Sequence, residues 1–297
     1  EPLLPARKER RRQEIEVETE GGDTPYPDWE VLRAEDREED PLLLLLVRDE
    51  EGRLVRQVIG ETEAGFHRTA WDLRLPPPDP IVLGEPEQRM YWESEPVGPL
   101  ALPGEYRVQL GRLVNGELAP VGDARRFTVK PLENSPEITD DRRALQAFQL
   151  KAAELQRAVK GAVQAVEEYR SRIDHLQAAL LDTPERAPAD FRALVGLSNR
   201  LADVAVALTG DTTVASRNEP VAMPVASRVN RIYTSQVWTQ FPVPTQYETS
   251  YDVAAEEFSA ALTELRAVRD ELRTIEGRLE DIGAPWTPGR LPDWQAR

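Results

Sequence analysis

From Leu145 to Leu180 apolar residues recur at alternating steps of three and four, and no other feature of this 297-residue chain constrains its fold as tightly. Leu145, Phe148, Ala152, Leu155, Val159, Ala162, Val166, Tyr169, Ile173, Leu176 and Leu180 form one seam. It runs for about five heptads, and only a long helix keeps such a seam on one side. A second seam has the same step: Tyr247, Tyr251, Ala254, Phe258, Ala261, Leu265, Val268, Leu272, Ile275, Leu279 and Ile282. At the rise of an α-helix each seam is roughly 50 Å long, and both must be buried.

The spacing predicts helices over about 140-182, 189-209, 224-238 and 246-282. Thr139 is the expected cap of the first, with Asp140 and Asp141 in the first turn, where the helix dipole favours acids. Asp182-Thr183-Pro184 ends it, and Gly210 stops the second helix. Pro220, Pro224, Pro242 and Pro244 interrupt residues 211 to 245 and leave room for one short helix between the pairs. Thr245 is the expected cap of the last helix, and Gly283 and Pro285 terminate it. An antiparallel helical bundle over 138-283 buries both seams within the chain. An intermolecular coiled coil is the alternative.

Before residue 135 the pattern differs. Sixteen of the 25 Pro and 11 of the 17 Gly lie before Ile138. Residues 1-40 read as an irregular lead-in or linker. Its basic run, Arg7, Lys8, Arg10, Arg11 and Arg12, is either an anion site or a solvated helical turn neutralised by the acids that follow; the second reading is preferred. Leu42–Arg48 and Leu54–Ile59 flank Asp49-Glu50-Glu51-Gly52 and read as a β-hairpin. Phe66–Leu73 alternates in part, with Thr69, Trp71 and Leu73 on one face. Pro76, Pro77, Pro78 and Pro80 forbid regular pairing next, so 76 to 100 reads as a long surface excursion. Pro103-Gly104 turns into a strand with Tyr106, Val108 and Leu110, and Phe127 and Val129 mark the last one. Short strands at this spacing predict an antiparallel β-sandwich over 41-131. The fold class expected is therefore α+β: a β-sandwich domain, then a helical bundle, then a strap over 284-297.

Composition removes several functions. Thirty-seven Lys and Arg against 53 acids give a net charge of −16. Nucleic-acid binding needs clustered basic residues, so this balance argues against it. The acidity is shared, −10 up to Pro131 and −6 after it, so neither part is a hidden basic tail. The absence of Cys excludes disulfides, thiolate nucleophiles and Cys-ligated metals, and two His argue against a multi-histidine metal site. No apolar run reaches the about 18 residues of a membrane-spanning helix. The chain begins at Glu1 rather than Met and reads as a processed or excised piece.

Chemical motifs are sparse. There is no P-loop, GxGxxG, HExxH or EF-hand loop, and no Ser-x-Asp-x-Gly-x-x-Trp turn of the sialidase type. No cofactor is expected. His175 reads as a solvated residue in mid-helix and His67 as a packing or strand-edge residue. Asp72 beside Trp71 is a carboxylate–aromatic pair of the kind that binds sugar. The preferred reading puts Trp71 in a core and Asp72 on a turn. Gly104 and Tyr106 read as structural in the same way. Trp92, Trp238, Trp286 and Trp294 fall in or beside loops, where aromatic side chains anchor interfaces or cover a domain junction. With Arg290 they are the candidate interface residues. Pro285-Trp286-Thr287-Pro288-Gly289-Arg290 reads as a stiff strap docked on the β-domain or on a separate neighbour.

Several segments occur in a distinctive order: Tyr26-Pro27-Asp28-Trp29, Arg33 to Glu39, Asp49 to Gly52, Ala64-Gly65-Phe66-His67-Arg68-Thr69-Ala70-Trp71-Asp72-Leu73-Arg74, Leu102-Pro103-Gly104-Glu105-Tyr106-Arg107-Val108, and Ala284-Pro285-Trp286-Thr287-Pro288-Gly289-Arg290. Taken together, over nearly the whole chain, they resemble the C-terminal region of bacterial sortilin-like, BNR-repeat β-propeller proteins, which are often labelled glycosyl hydrolases. The first part also looks like the immunoglobulin-like domain of flagellar hook-capping proteins. The resemblance implies an exported protein, periplasmic or extracellular, whose propellers would precede this region. Peptide binding by sortilin-type propellers belongs to that other part. No catalytic residue carries over, so the hydrolase label transfers nothing to these side chains.

The function expected is a non-catalytic accessory region that braces its own N-terminal propeller or joins a second subunit. A carbohydrate- or peptide-binding module using the sandwich loops is the alternative. A glycoside hydrolase centred on Asp72 is the third reading.

Overall fold

The computed structural model describes residues 5–24, 26–81, 83, 95–131 and 141–294. Thr139 and Trp92 lie outside them. The chain divides into two compact units, Glu1–Pro76 with Leu100–Ser135, and Pro77–Pro99 with Pro136–Arg297. The fold is α+β, a four-stranded antiparallel sheet followed by a helical region.

In the first unit the strands are β1 (Leu42–Arg48), β2 (Leu54–Gly60), β3 (Gly104–Val114) and β4 (Glu117–Val129). Their order is β2-β1-β3-β4, all antiparallel, and the sheet is open at β2 and β4. The Leu-rich β1 is central because it has no charge to expose before Arg48. The β1–β2 turn is closed by Asp49, whose carboxylate accepts the Arg53 N–H at 2.8 Å, with Gly52 at φ 81°. Between β3 and β4, Asn115 (φ 49°) and Gly116 (φ 78°) both take the left-handed conformation. Two such residues make the hairpin turn that matches strand twist.

The segment Phe66–Leu73 is not a strand, contrary to the alternation of its residues. A local turn takes its hydrogen bonds instead. The Trp71 indole N–H donates to the Arg74 carbonyl at 2.9 Å, and the Asp72 carboxylate accepts the Arg74 N–H at 3.0 Å. A single bridge from Arg74 to Leu100 follows. The segment covers one face of the sheet. Trp71 packs edge-on against Tyr106 and Phe127, with ring centroids 5.5 and 6.2 Å away.

Residues 5–24 and 26–40 are also more regular than their composition suggests. They hold helices α1 (Pro5–Thr19) and α2 (Trp29–Asp36). The apolar pattern of α1 is weak, so ion pairs hold it. Arg10 donates to Glu14 within the helix and grips Glu35 of α2, with Nε 2.5 Å and Nη2 3.0 Å from its two oxygens. Glu35 is 2% exposed. The basic run is thus partly spent on a buried carboxylate: Arg7 also lies 3.6 Å from Glu35, and Arg12 pairs with Glu9.

The second unit is built on α3 (Arg142–Leu181), α4 (Pro188–Thr209), the single turn α5 (Thr212–Ala215), α6 (Val225–Val237) and α7 (Thr245–Asp281). Asp141 caps α3, its carboxylate accepting the Ala144 N–H at 2.8 Å. Pro244, with no side-chain bond to offer, occupies the cap of α7, and Thr245 is its first helical residue. Both seams are inside: Leu155, Val159, Val166, Ile173, Leu176 and Leu180 of α3 share one core with Ala254, Leu265, Val268, Leu272, Ile275 and Leu279 of α7. Burying each large apolar side chain stabilises the bundle by roughly 1.5–3 kcal/mol before entropy is set against it.

The two long helices run in the same direction. Lys151 meets Asp252 near one end and Arg172 meets Glu276 near the other. Helix α4 runs against both, since Asp190 meets Arg278 and Arg200 meets Glu264. Helix α6 runs against α3 along its opening half, where the Gln149 amide donates to the Gln236 carbonyl at 2.7 Å and that of Gln156 to Asn230 at 3.1 Å. The bundle is therefore up-down-up. Its downward rod comes in two pieces, because the prolines at 220 and 224 break it. The proline-rich excursion belongs to this unit: Val97 packs beside Ile232 and Tyr233, and Tyr233 donates its hydroxyl to the Val97 carbonyl at 2.5 Å.

Candidate functional site

The strap leaves α7 through a glycine stop. Gly283 has φ 68°, and Ala284 N–H bonds to the Leu279 carbonyl at 2.9 Å, the pattern that closes a helix end. Two residues on, Trp286 is 61% exposed, yet it is fixed. Its indole N–H donates to the Arg290 carbonyl at 2.7 Å.

Arg290 lies under the strap, 8% exposed, not on its surface. Its guanidinium donates to the Pro285 carbonyl at 2.8 Å, to the Ala284 carbonyl at 3.2 Å and to the Glu280 carboxylate of α7. Glu280 also accepts the Asp293 N–H at 3.0 Å. That backbone bond and the Arg290 guanidinium hold its carboxyl below the usual glutamate range. Gly289 is favoured by its backbone and closely approached by a side chain. It has φ 90°, and a β-carbon there would lie 3.1 Å from Arg172 Nε. Arg172 of α3 is itself held by Glu276 of α7. The strap is thus docked on α7 and beside α3, within the helical unit. Its polar anchors lie within this unit. Arg290 is the strap's anchor and not a contact residue at its surface.

Of the other described candidate residues, Trp294 shares the strap. Trp294 is 80% exposed at the end of the strap, and Leu291 is 87% exposed three residues before it. Trp238 follows the last turn of α6 and is 55% exposed. Trp71 and Tyr106 lie in the core of the sheet unit; the Tyr106 hydroxyl donates to the Leu102 carbonyl at 2.7 Å, and burial pushes its phenol up from the usual range. Asp72 is tied to its own turn and Gly104 opens β3 opposite Val129. His67 and His175 are both exposed, each with a ring nitrogen against a carbonyl four residues back, at 2.9 Å on Glu63 and 2.7 Å on Ser171. Among the described residues no group of three or more His, Asp or Glu could hold a metal ion, and no helix is long and apolar enough to cross a membrane.

Spacing does not mark Glu280 as part of the strap, nor Arg172 and Glu276. The one available signal is Arg290 itself, a cation ten residues after Glu280 on the last turns of α7. The chain matches no family model, no curated protein and no solved structure.

Proposed function

We propose that this chain is a non-catalytic accessory region of an exported, propeller-bearing protein. It braces the propeller or joins a second copy of itself through the Trp286 strap. The observation that carries the reading is the pairing of exposure and rigidity at Trp286. A large aromatic ring stands in solvent while its polar edge is fixed, and the loop beneath it is locked by the buried Arg290. An exposed ring costs little ordering entropy on binding when it is already fixed, which favours it as an interface anchor. Leu291 and Trp294 extend the apolar surface along the same strap. The sheet unit is read as an immunoglobulin-like sandwich. The Tyr106 hydroxyl supports this, because it reaches a carbonyl four residues upstream as tyrosine corners in such domains do.

The coding sequence upstream of Glu1 is expected to contain propeller blades. A start codon directly before Glu1 removes the propeller from the reading and leaves self-association. That half is tested by sedimentation velocity on the full chain and on Trp286→Ala. The wild type is expected to associate and the variant to associate less, with unchanged helicity. A wild type that stays monomeric, with no propeller upstream, overturns the proposal.

A further inference from the structure

Two neighbouring hollows on the helical unit share a wall, and their chemistries are opposite. The larger, about 610 Å³, lies between the end of α4, α5, the 220–224 loop and α7. Val206, Val214, Val221, Met223 and Ala260 make it mostly apolar, with Asp211 and Glu257 also in its lining. The smaller, about 230 Å³, lies between α6 and the first turns of α7. It is lined by Arg228, Arg231, Gln246, Tyr247 and Ser250, and Met223 closes it as well. No carboxylate lines the smaller one, in a chain of net charge −16.

Its two arginines are not used up. Arg231 has no ion pair or side-chain hydrogen bond to any described residue, unlike Arg10, Arg172 and Arg290 elsewhere in the chain. Arg228 has only a loose pair with Glu257 at 3.7 Å, and its Nε is buried without a hydrogen-bond partner. A buried guanidinium N–H left unbonded costs stability, and an oxyanion would relieve it. The hydroxyls of Tyr247 and Ser250 and the Gln246 amide add neutral donors to the same hollow. Glu257 lines the apolar side, so its carboxylate lies between the apolar groove and Arg228 and narrows where a second anion could sit.

The geometry points to a binding site for a small amphipathic anion, an alkyl carboxylate or alkyl phosphate. The head group is held by Arg231 and Arg228, and the chain lies past Met223 in the apolar groove. A simple oxyanion explains the smaller hollow but leaves the larger one unfilled. A neutral apolar molecule explains the larger but not the unpaired Arg231. Together the hollows fall within the volume range of small-molecule sites. The inference is independent of the strap, which lies at the other end of α7.

The test uses the full chain and three probes: dodecanoate below its micelle concentration, dodecanol below its solubility limit, and inorganic phosphate. Calorimetric titration is expected to show saturable binding of dodecanoate. Dodecanol should bind about fivefold more weakly, the worth of a partly solvated ion pair. Phosphate alone should bind more weakly still. Arg231→Gln, at an exposed position, should weaken dodecanoate to the dodecanol level and leave dodecanol unchanged. Val221→Asp should weaken both chain-bearing probes. Thermal melts of both variants are expected to match wild type, so loss of binding is not loss of fold. No binding of dodecanoate overturns the proposal. Equal binding of dodecanoate and dodecanol, unmoved by Arg231→Gln, overturns the head-group site. Phosphate binding as tightly as dodecanoate overturns the role of the groove.

Discussion

Arg172 on α3 and Glu276 on α7 face each other across the two parallel long helices, with Nη2 2.7 Å from both carboxylate oxygens and Nε 3.0 Å from one. Their side chains are 16% and 9% exposed, so the pair is largely out of water. It lies beside Gly289, and so fixes the register of α3 against α7 at the point where the strap returns. Such a pair specifies geometry more than it stabilises, because desolvation offsets most of the attraction.

A single substitution there should therefore cost more than a double one. Glu276→Leu leaves the Arg172 charge with only the exposed Glu168 at 3.4 Å. The expected loss is about 3 kcal/mol, with Arg172→Leu/Glu276→Leu recovering most of it. Urea unfolding followed by circular dichroism measures both. A double variant no more stable than the single would show that the bundle end does not repack.

The strap should come loose without the bundle melting. Arg290→Met removes the donor to Pro285, Ala284 and Glu280. The local cost is about 2 kcal/mol, because two carbonyls and a carboxylate lose a charged partner. Limited chymotrypsin digestion should then cut after Trp286 several times faster than in wild type, at unchanged helicity. Equal cleavage rates would mean that another contact holds the strap.

How far the fold is legible in the sequence depends on how local each signal is. The seams of α3 and α7 repeat every three or four residues, so the burial of Leu176 and Leu272 follows from spacing alone. The direction of α7 relative to α3 does not, since it depends on the α4 and α6 pieces between them. Helix α1 escapes a reading by periodicity because its support is Glu35, 25 residues from Arg10 and outside any periodic pattern. Phe66–Leu73 misleads because alternation reports which face is covered but not whether the backbone finds a partner. Asn-Gly is the strongest short-range mark of a hairpin, and Asn115-Gly116 is overlooked when strands are sought only by apolar alternation. The strap's aromatic residues stand out by type. Their anchor on Glu280 does not, because a contact between a loop and a helix leaves no spacing to read.

The Asn115-Gly116 turn carries its own prediction. Both residues have positive φ, and nothing crowds a β-carbon at Gly116. Gly116→Ala therefore tests backbone conformation alone. It should destabilise the sheet unit by about 1 kcal/mol. Asn115→Gly should cost less through the backbone but lose the side-chain bond to Glu39 N–H at 3.0 Å. Hydrogen exchange at β3 and β4 amides reads both. Unchanged protection in Gly116→Ala would show that the turn does not set the register.

The α1–α2 clamp should depend on pH in a direction fixed by Glu35. The Arg10 hydrogen bonds, followed by the charges of Arg10 and Arg7, hold its carboxyl below the ordinary glutamate value, against the opposing effect of burial. A carboxylate with a lowered folded-state pKa binds fewer protons folded than unfolded. Its contribution is complete above the ordinary value of 4.5 and is lost as the pH falls through the lower, folded one. Amide exchange in α1, corrected for intrinsic rates, should therefore stay protected from neutral pH to the ordinary glutamate value and rise only below it. In Glu35→Gln the protection should be weaker at neutral pH and nearly flat over the same range. Protection in the wild type that falls already above the ordinary glutamate value would mean that a group other than Glu35 governs the docking of α1.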